Sequence, residues 1–568
     1  MSTSSAPVHP RRELSFMRAG IVNVQLPGKK SQLRWSVSDG AGEAPVLTQL
    51  LSTSGHALNT RCGGRGLCQG CRVNLTEGAV LAAEGVVKAP AEIRACQARA
   101  AEVEISIEVP LRSLLAHRPQ ICTRFATRVS GGARALIPVR DGICDHGLAI
   151  DIGTTTVVVA LVDLRDGRIV AEAAEFNKQI ALGDNVLTRI ELCMNDPVML
   201  RRLQHAIQQE TLVPLVREVC RESGLGFERI GAVVIAGNTT MLHLFCGKDP
   251  TGMGHVPFTP QFLDHRVETP TTLGWVPENA NDDWLGANVP VHLLPGYSAF
   301  VGADITAGYY CSGMIYNDAP TLLVDIGTNG EILCQRAGKL LAAATAAGPA
   351  FEGTRLQHGC RAVAGAVSAV RFGAAHWPAE LERIPGSVHC PGLCGTAYVD
   401  FLAEARRTGL LTEQGRFNPA IYNALPKEAQ RQGPWGKALQ LHPDWPTATI
   451  SEADVAELLQ AKAAVAAGIN TLLHQLGLTA ADIATVYLAG GFGMHLRLAN
   501  ATACGLLPGF LPEQIALVGN TALGGAYLAL LDETVIPEMV RSTGRAETVE
   551  LNQDPDFEDR YLDALGLL

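Results

Sequence analysis

The stretch Leu148-Ala149-Ile150-Asp151-Ile152-Gly153-Thr154-Thr155 recurs further along the chain as Leu322-Leu323-Val324-Asp325-Ile326-Gly327-Thr328-Asn329. In both copies an apolar strand leads into Asp-Ile-Gly-Thr, and a second strand-like run follows. An internal repeat of this kind indicates duplication of a structural unit. The alternation of strand-like and helix-like segments around each copy predicts an α/β body with two related lobes.

The two repeated turns have the composition of phosphate-binding loops. Glycine lets the backbone approach a phosphate closely, and consecutive N–H groups and threonine hydroxyls bind phosphate oxygens. Asp151 and Asp325 are the candidate catalytic carboxylates, because an aspartate at the end of a strand can hold Mg²⁺, usually through water. The candidate phosphate ligands are Gly153, Thr154, Thr155, Thr156, Gly327, Thr328, Asn329 and Gly330. The alternative is a pair of glycine-containing hairpins that bind no ligand.

Two further turns are candidates for the same nucleotide site. The loop that carries Gly490, Gly491 and Gly493 follows a predicted strand over 484–488, and it suits the wall against which an adenine ring packs. Its alternative role is to permit close packing. Asn238 stands at a strand–helix turn, where its side chain either reaches a phosphate or caps the helix. A capping box beginning at Ser451 predicts a long helix to about Gln475.

Four cysteines near the start of the chain form the candidate metal site. Cys62, Cys68 and Cys71 follow the spacing C-x5-C-x2-C on a glycine-rich loop, and Cys96 comes later. Three thiolates from one loop and a fourth from elsewhere are typical of a plant-type [2Fe–2S] site. A four-cysteine zinc site is the alternative, but zinc ribbons usually contain two C-x2-C pairs. The longer first gap resembles that of the adrenodoxin-like ferredoxins.

Composition limits the classes of function that the chain can have. Of its 568 residues, 47% are hydrophobic and 18% charged, which excludes wholesale disorder. The net charge of −10 argues against nucleic acid as the main partner. No apolar stretch reaches the roughly 18 residues of a membrane span, and the first residues lack a signal-peptide core. The odd number of cysteines, 15, indicates a reducing compartment, so we expect a cytoplasmic protein.

The order of these features predicts the domain organisation. A flexible leader precedes a small sheet-rich iron–sulfur domain, and a linker with a connecting unit joins that domain to the repeated α/β lobes. A segment rich in Gly, Pro and Trp is expected to be an insertion in the second lobe. The predicted boundaries are 1–20 for the leader, 21–110 for the iron–sulfur domain, 111–146 for the linker, 147–320 for lobe I, 321–545 for lobe II with its insertion at 373–450, and 546–568 for a tail.

The repeated loops and the glycine loop resemble the phosphate and adenosine motifs of the superfamily of sugar and acetate kinases, heat-shock chaperones and actin. More closely, the chain resembles the reductive activators of corrinoid proteins over roughly residues 21–530. The stretches that carry this second resemblance are the cysteine loop, Asn177-Lys178-Gln179, Gly183-Asp184-Asn185 with Arg189, Gly237-Asn238-Thr239-Thr240-Met241, Gly302-Ala303-Asp304, the segment 346–353, and Leu488-Ala489-Gly490-Gly491-Phe492-Gly493. It implies a multidomain α/β and α+β protein, with a β-grasp ferredoxin-like domain and an actin-like ATPase body of duplicated RNase H-like lobes.

The resemblance also implies a function, which is ATP-dependent transfer of one electron from a [2Fe–2S] cluster to a Co(II) corrinoid protein. Cys62, Cys68, Cys71 and Cys96 then hold the cluster. Asp151 and Asp325 manage Mg²⁺ and the attacking water. The implied partners are a corrinoid protein of a methyltransferase system, a low-potential electron donor protein and a second copy of the chain.

Two other functions stay open at this stage. One is a small-molecule kinase with an iron–sulfur sensor, which the superfamily body allows. The other is a chaperone-like ATP switch whose cluster is structural. The acyl-CoA dehydratase activators share the ATP-binding body, but their cluster cysteines lie within it, so the N-terminal cysteine loop argues against that class.

Overall fold

The computed structural model describes residues 19–26, 28–36, 44–56, 58, 66, 70–83, 85–110, 113–114, 122–127, 134–139, 143–279, 283–327, 329–353, 356–433 and 436–567. Cys62, Cys68 and Thr328, together with residues 1–18 of the predicted leader, lie outside the described residues. The chain falls into two compact units, Met1–His117 and Arg118–Leu568.

The first unit is a mixed sheet with one helix packed on it. Strand order is β2-β1-β8-β3-β6, with β1 and β8 parallel, and β5-β4-β7 form a second small sheet. Alternate residues of β1, such as Val22 and Val24, fill the core. The elements are β1 (Ala19–Leu26), β2 (Lys29–Ser36), α1 (Leu47–Thr53), β3 (Arg72–Glu77), β4 (Ala79–Ala82), β5 (Gly85–Lys88), β6 (Ala91–Arg94), β7 (Arg99–Ala100) and β8 (Glu104–Glu108).

The first strand begins inside the segment that the sequence predicts to be a flexible leader, 1–20. Ala19 pairs with Ser36 and Gly20 with Trp35, so the antiparallel β1–β2 ladder extends two residues further than the apolar pattern indicates. Gly20 lies against the Trp35 ring and the Val103 carbonyl, where a Cβ atom would approach to 2.8 Å. Close packing therefore explains a glycine that sequence reasoning takes for a flexible residue.

The second unit begins with the first lobe. Its sheet runs β11-β10-β9-β12-β14-β13, in which β9–β10–β11 is an antiparallel meander and β12 is parallel to β9. The elements are β9 (His146–Ile152), β10 (Thr156–Asp163), β11 (Ile169–Phe176), α2 (Val186–Asn195), α3 (Val198–Ile207), α4 (Val213–Ser223), β12 (Ile230–Gly237), α5 (Thr239–Phe245), β13 (Arg266–Glu268), α6 (Pro270–Leu273), β14 (Val291–Leu293) and α7 (Ala303–Cys311).

The second lobe repeats the five-strand core of this topology and has its sixth strand at the opposite edge of the sheet. Its sheet runs β24-β23-β15-β16-β17-β25, with an antiparallel meander β15–β16–β17 and with β23 parallel to β15. The elements are β15 (Thr321–Ile326), β16 (Gly330–Arg336), β17 (Lys339–Thr345), β18 (Val367–Arg371), β19 (Glu380–Arg383), α8 (Gly395–Arg407), α9 (Pro419–Ala424), β20 (Gln430–Gly433), β21 (Gly436–Gln440), β22 (Thr449–Ser451), α10 (Glu452–Gln475), β23 (Thr485–Ala489), α11 (Leu498–Ala503), β24 (Ile515–Gly519), α12 (Thr521–Leu531), α13 (Val535–Thr543), β25 (Ala546–Thr548) and α14 (Phe557–Asp563).

The shared strand order confirms the predicted duplication of an α/β lobe. The capping box at Ser451 also forms, and it begins α10 as expected. Residues 373–450 contain the hairpin strand β19, helices α8 and α9, and the small sheet β20-β21-β22. No helix in the described part of the chain is long and apolar enough to cross a membrane.

Helices α12 and α13 lie between strands β24 and β25 of the second sheet in the chain, yet they complete the core of the first lobe. Leu523 and Leu530 of α12 and Met539 of α13 lie in the same apolar cluster as β9 and β12. The predicted bounds of lobe II, 321–545, include both helices because they follow the order of the chain. No local sequence pattern indicates that the chain returns to the first lobe at this point. This crossover brings the beginning of α12 to the cleft between the lobes.

Candidate nucleotide cleft and iron–sulfur ligands

The two repeated loops meet in one cavity of about 150 Å³. Asp151 is the penultimate residue of β9 and Asp325 is the penultimate residue of β15, so the duplicated strands place both carboxylates at the cleft. The described loop residues that line the cavity are Gly153, Thr154, Thr155, Thr156, Asn238, Gly327, Asn329, Gly490 and Gly491. The arrangement can therefore contact a polyphosphate from both lobes.

Among the described residues, five carboxyl groups line this cavity, those of Asp151, Asp304, Asp325, Glu331 and Glu352. Their surroundings raise the pKa of Asp151, Asp304, Asp325 and Glu331. Desolvation is the main cause, and it raises the pKa of Asp151 to about 7, with a smaller contribution from Asp304. Desolvation and the charges of Asp304 and Asp151 raise that of Asp325 to about 7. Asp304 reaches about 6, and the pKa of Glu331 is also raised, both mainly through desolvation. A cation in the cleft would relieve this repulsion, because it favours the ionised carboxylates.

The donor set fits a hydrated magnesium ion. Within the described residues no three His, Cys, Asp or Glu side chains are grouped closely enough to hold a metal directly. Mg²⁺ usually keeps several waters and is bound through one or two carboxylates and the substrate phosphates. Asp151 and Asp325 would hold such an ion from opposite lobes.

Asn238 caps its helix, which is one of the two roles that its sequence position allows, and its amide also contacts the first phosphate loop. Its Oδ1 accepts the N–H of Met241 at 3.0 Å, which caps α5. Its Nδ2 donates to Thr154 Oγ1 at 2.8 Å. The buried guanidinium of Arg189 donates to the Thr154 carbonyl at 2.6 Å and to Gln179 Oε1 at 2.8 Å. These bonds hold Thr154 of the first phosphate loop through its hydroxyl and its carbonyl. The conformation of the loop is therefore set before any ligand binds.

Glu352 joins the two lobes across the cleft. The Thr155 hydroxyl of the first lobe donates to Glu352 Oε2 at 3.1 Å. On the other side, Arg361 Nε lies 4.0 Å from the same oxygen, and its guanidinium stacks over the Phe176 ring. A phosphate group bound to Thr155 would bring negative charge next to this carboxylate.

A second cavity, of about 470 Å³, adjoins the first and shares Gly327, Glu352 and Gly491 with it. Phe351 and Phe492 contribute aromatic rings whose centroids are 5.3 Å apart. Gly490 has a φ of +88°, and a Cβ there would come within 2.6 Å of the Asp325 carboxylate. The glycine loop therefore separates a polar phosphate cavity from a roomier cavity with aromatic walls.

Two of the predicted loop glycines have a packing role. Gly330 begins β16, where a Cβ would lie 2.5 Å from Thr345 Oγ1. Gly493 packs against Leu488. Neither residue lines the two cavities described above.

In the first unit, the structure places two of the four predicted cluster cysteines beside each other. Cys71 directly precedes β3 and Cys96 follows β6, and these antiparallel strands pair Arg72 with Arg94. The Ala95 N–H donates to the Cys71 carbonyl at 3.1 Å. Both cysteines are buried in the core of the unit. The arrangement fits a cluster held by one loop and a distant fourth thiolate.

Sequence reasoning misses several residues of the cleft. Asp304 and Glu352 lie within stretches that support the family resemblance, and Glu331 follows the second loop directly, so position alone could have identified them. Asn520 and Cys122 also line the cleft, but they come from distant parts of the chain. Only the folded arrangement reveals them.

A ferredoxin-type unit joined to a duplicated two-lobed nucleotide cleft defines the class of an iron–sulfur ATPase. Comparison with family models agrees: residues 31–101 match the 2Fe-2S iron-sulfur cluster binding domain. Residues 146–317 match the RACo middle region, and residues 319–568 match the C-terminal domain of RACo, the ASKHA domain. The chain belongs to the family of reductive activators of corrinoid proteins.

Individual relatives are similar along most of their length. The corrinoid activation enzyme RamQ of Eubacterium limosum is 28% identical, and the match covers 91% of this chain and 95% of that protein. The [Co(II) methylated amine-specific corrinoid protein] reductase of Methanosarcina barkeri is 22% identical over 73% of this chain and 76% of its own. A solved reductive activator for corrinoid, iron-sulfur protein superposes with a TM-score of 0.68 at 28% identity, covering 96% of this chain and 98% of that one.

Proposed function

We propose that this protein is an ATP-dependent reductive activator, which transfers one electron from a [2Fe–2S] cluster to an inactive Co(II) corrinoid protein and restores Co(I) for methyl transfer. The observation that carries the proposal is the convergence of both Asp-x-Gly-Thr loops on one cleft, in a chain that also contains an iron–sulfur domain. The relatives whose names describe corrinoid activation support it.

In the proposed electron-transfer site, Cys62, Cys68, Cys71 and Cys96 are the cluster ligands. A plant-type [2Fe–2S] cluster supplies one electron at roughly −400 mV. The burial of Cys71 and Cys96 supports this assignment, because low solvent exposure and backbone N–H groups near the sulfurs tune the potential of such a centre. The zinc alternative loses support, because the N-terminal unit matches an iron–sulfur domain model.

In the proposed nucleotide site, Asp151 and Asp325 position Mg²⁺ and the attacking water. The candidate phosphate ligands Thr154 and Thr155 line the cavity from the first lobe, and Asn329 lines it from the second lobe. The adjoining cavity beside Gly491 receives the nucleoside. For one electron, each 59 mV uphill corresponds to about 1.4 kcal/mol. ATP binding or ATP hydrolysis closes the two lobes, and this closure supplies the free energy through different affinities for the states of the partner protein.

We further propose the partners and setting that the family resemblance implies. The corrinoid protein of a methyltransferase system receives the electron, and a low-potential donor protein reduces the cluster again. The chain forms a homodimer through its ATPase body and acts in the cytoplasm. No nucleic acid or membrane takes part.

The test mixes the dithionite-reduced protein, MgATP and a Co(II) corrinoid protein of a methyltransferase system, and follows the Co(I) absorption band. Wild type should produce the band only with ATP. Asp325→Asn should keep its iron–sulfur spectrum and lose at least about 100-fold in ATP turnover and in Co(I) formation, because it removes a group that positions charge in the transition state. The control is Asp166→Asn, on an exposed turn at the other end of β10.

Failure of the wild-type protein to form Co(I) with MgATP would contradict the proposed function. ATP turnover that a small metabolite stimulates, and that no corrinoid protein affects, would favour the kinase alternative instead. Equal losses in Asp325→Asn and Asp166→Asn would contradict the assignment of the cleft.

A further inference from the structure

The segment that leads into the nucleotide-binding unit crosses the cleft. Residues 122–127, here called the linker strap, lie within the predicted linker and follow the iron–sulfur unit in the chain. Phe125 forms an antiparallel bridge with Gly519 at the end of β24, and the Ala126 N–H donates to the Val518 carbonyl at 3.1 Å. The Asn520 N–H donates to the Arg124 carbonyl at 3.0 Å. The strap is thus an extra edge segment of the second lobe's sheet.

Two glycines make room for the strap. Gly519 has a φ of +74°, and a Cβ there would lie 2.3 Å from the Arg124 carbonyl oxygen. A Cβ on Gly524, in the first turn of α12, would come within 3.0 Å of the Phe125 ring. Phe125 in turn packs against Tyr527 one turn further along α12, with ring centroids 5.3 Å apart. Such close approach leaves little freedom to move α12 without moving the strap.

Asn520 connects the strap directly to the catalytic carboxylate. Its Nδ2 donates to Asp151 Oδ2 at 2.8 Å and to the Cys122 carbonyl at 3.3 Å. Its Oδ1 accepts the Leu523 N–H at 2.9 Å, which caps α12. One side-chain amide therefore holds three elements together: the first phosphate-loop strand, the strap and α12. Both of its hydrogens are in use, so a change at Asp151 affects the bond to Cys122.

The strap also borders the space that the nucleotide would fill. Cys122 lines both cavities, and a Cβ on Gly491 would contact its Cβ atom at 3.3 Å. The glycine loop of the adenosine motif and the carboxylate of the first phosphate loop therefore both touch the same short segment. The strap is linked to the iron–sulfur unit by the polypeptide chain itself. This connection therefore needs no contact between the cleft and a described residue of the iron–sulfur unit.

We propose that Asn520 is a positioning residue that transmits nucleotide occupancy of the cleft to the linker of the iron–sulfur unit. When MgATP occupies the cleft, Asp151 turns toward the hydrated cation, the Asn520 amide follows Asp151, and the bond from Asn520 to the Cys122 carbonyl is lost. The strap then loosens from β24. This inference rests on the proposed function, since it describes how nucleotide state reaches the electron-carrying unit.

The test measures amide hydrogen exchange of a peptide spanning the strap in the full-length protein, without nucleotide and with saturating magnesium AMPPNP. In wild type, exchange at the strap should rise at least about tenfold with nucleotide, which corresponds to about 1.4 kcal/mol of opening free energy. Asn520→Ser keeps a residue that caps helices well, but its shorter side chain cannot reach Asp151 and Cys122 together. Its strap should exchange rapidly in both states.

The matched control is Thr123→Val. The Thr123 hydroxyl donates to Glu172 Oε1 at 2.8 Å on β11, so this variant removes a bond of the strap that does not involve the cleft. Its exchange should still respond to nucleotide as in wild type. A second readout separates positioning from folding: Asn520→Ser should reduce Co(I) formation per ATP hydrolysed more than it reduces ATP turnover.

Three results would overturn the inference. One is a wild-type strap whose exchange is unchanged or slower with nucleotide, although a filter assay shows that nucleotide binds; the proposed function would survive that result. Another is a normal nucleotide response in Asn520→Ser. The third is a wild-type protein that binds no nucleotide at all, which would remove the proposed function together with the inference.

Discussion

His243 shows how a single buried residue makes the first lobe sensitive to acid. Its Nδ1 donates to the Thr239 carbonyl at 2.7 Å, and its Nε2 accepts the N–H of Gln261 at 3.0 Å. The ring stacks on Phe262, with centroids 4.3 Å apart. Burial, helped by the charge of Arg266, lowers its pKa to about 4. The neutral ring is therefore the folded form, and protonation favours the unfolded chain.

The sign of the resulting pH dependence follows from linkage. The unfolded histidine has a pKa near 6.5, so its neutral form contributes fully to stability above that value. The contribution is lost progressively as pH falls from about 6.5 toward 4, and it reaches roughly 3 kcal/mol. We expect His243→Gln to be less stable than wild type at pH 7.5, but to lose less stability between pH 6.5 and 4.5.

Urea unfolding followed by circular dichroism at several pH values checks this prediction. The control is His255→Gln, because His255 lies exposed on a loop. Its replacement should leave the pH dependence of the free energy of unfolding as in wild type. If the free energy of unfolding falls equally with pH in wild type and in His243→Gln over this range, the buried ring is not the source of the acid sensitivity.

At the scale of secondary-structure elements, the long helix α10 anchors the final helix of the chain through one buried lysine. Lys462 Nζ donates to the carbonyls of Ala564 and Gly566 at 2.5 and 2.7 Å, which are the C-cap of α14 and a residue just beyond it. A cation at the C-terminal end of a helix also interacts favourably with the helix dipole. Burial lowers the pKa of Lys462, and the two carbonyls compensate for its loss of water.

Lys462→Met should therefore release α14. The methionine fills a similar volume, but two carbonyls lose a charged donor, which costs about 2 kcal/mol. We expect faster amide exchange over residues 557–567, while exchange in the first lobe stays unchanged. Exposed Lys427→Met is the control. A rate over 557–567 equal to that of the control would show that apolar packing alone holds the helix.

The phosphate loops, the candidate cluster cysteines and Asn520 show which parts of the sites can be predicted from the sequence. The two Asp-x-Gly-Thr loops are predictable, because strand, turn and ligand chemistry lie within ten consecutive residues. Three of the candidate cluster cysteines likewise lie within ten consecutive residues, whereas the position of Cys96 near Cys71 depends on the β3–β6 pairing. The role of Asn520 cannot be predicted from the sequence, because nothing near it in the chain indicates that β24 ends beside Asp151. Its local pattern, an asparagine before a helix, predicts only a cap.

At the scale of the whole molecule, the chain keeps its two chemistries in separate compact units. Every described residue that lines the candidate nucleotide cleft lies between Arg118 and Leu568, and the four candidate cluster cysteines lie between Met1 and His117. Mutations in sites that share no interaction partners usually act independently. Loss of the cluster should therefore separate ATP hydrolysis from electron delivery.

Cys96→Ser tests that separation in the full-length protein. Serine cannot replace the fourth thiolate well, so the reduced [2Fe–2S] signal in electron paramagnetic resonance should vanish or change shape, and Co(I) formation should stop. ATP turnover without the corrinoid partner should stay within about twofold of wild type. Cys246→Ser is the matched control, because that thiol lies in the first lobe and burial raises its pKa to about 12, which leaves it protonated and unreactive.

Normal Co(I) formation by Cys96→Ser would exclude Cys96 as a ligand. An equal loss of ATP turnover would mean that the cluster unit also supports the nucleotide cleft, and that the two units act as one.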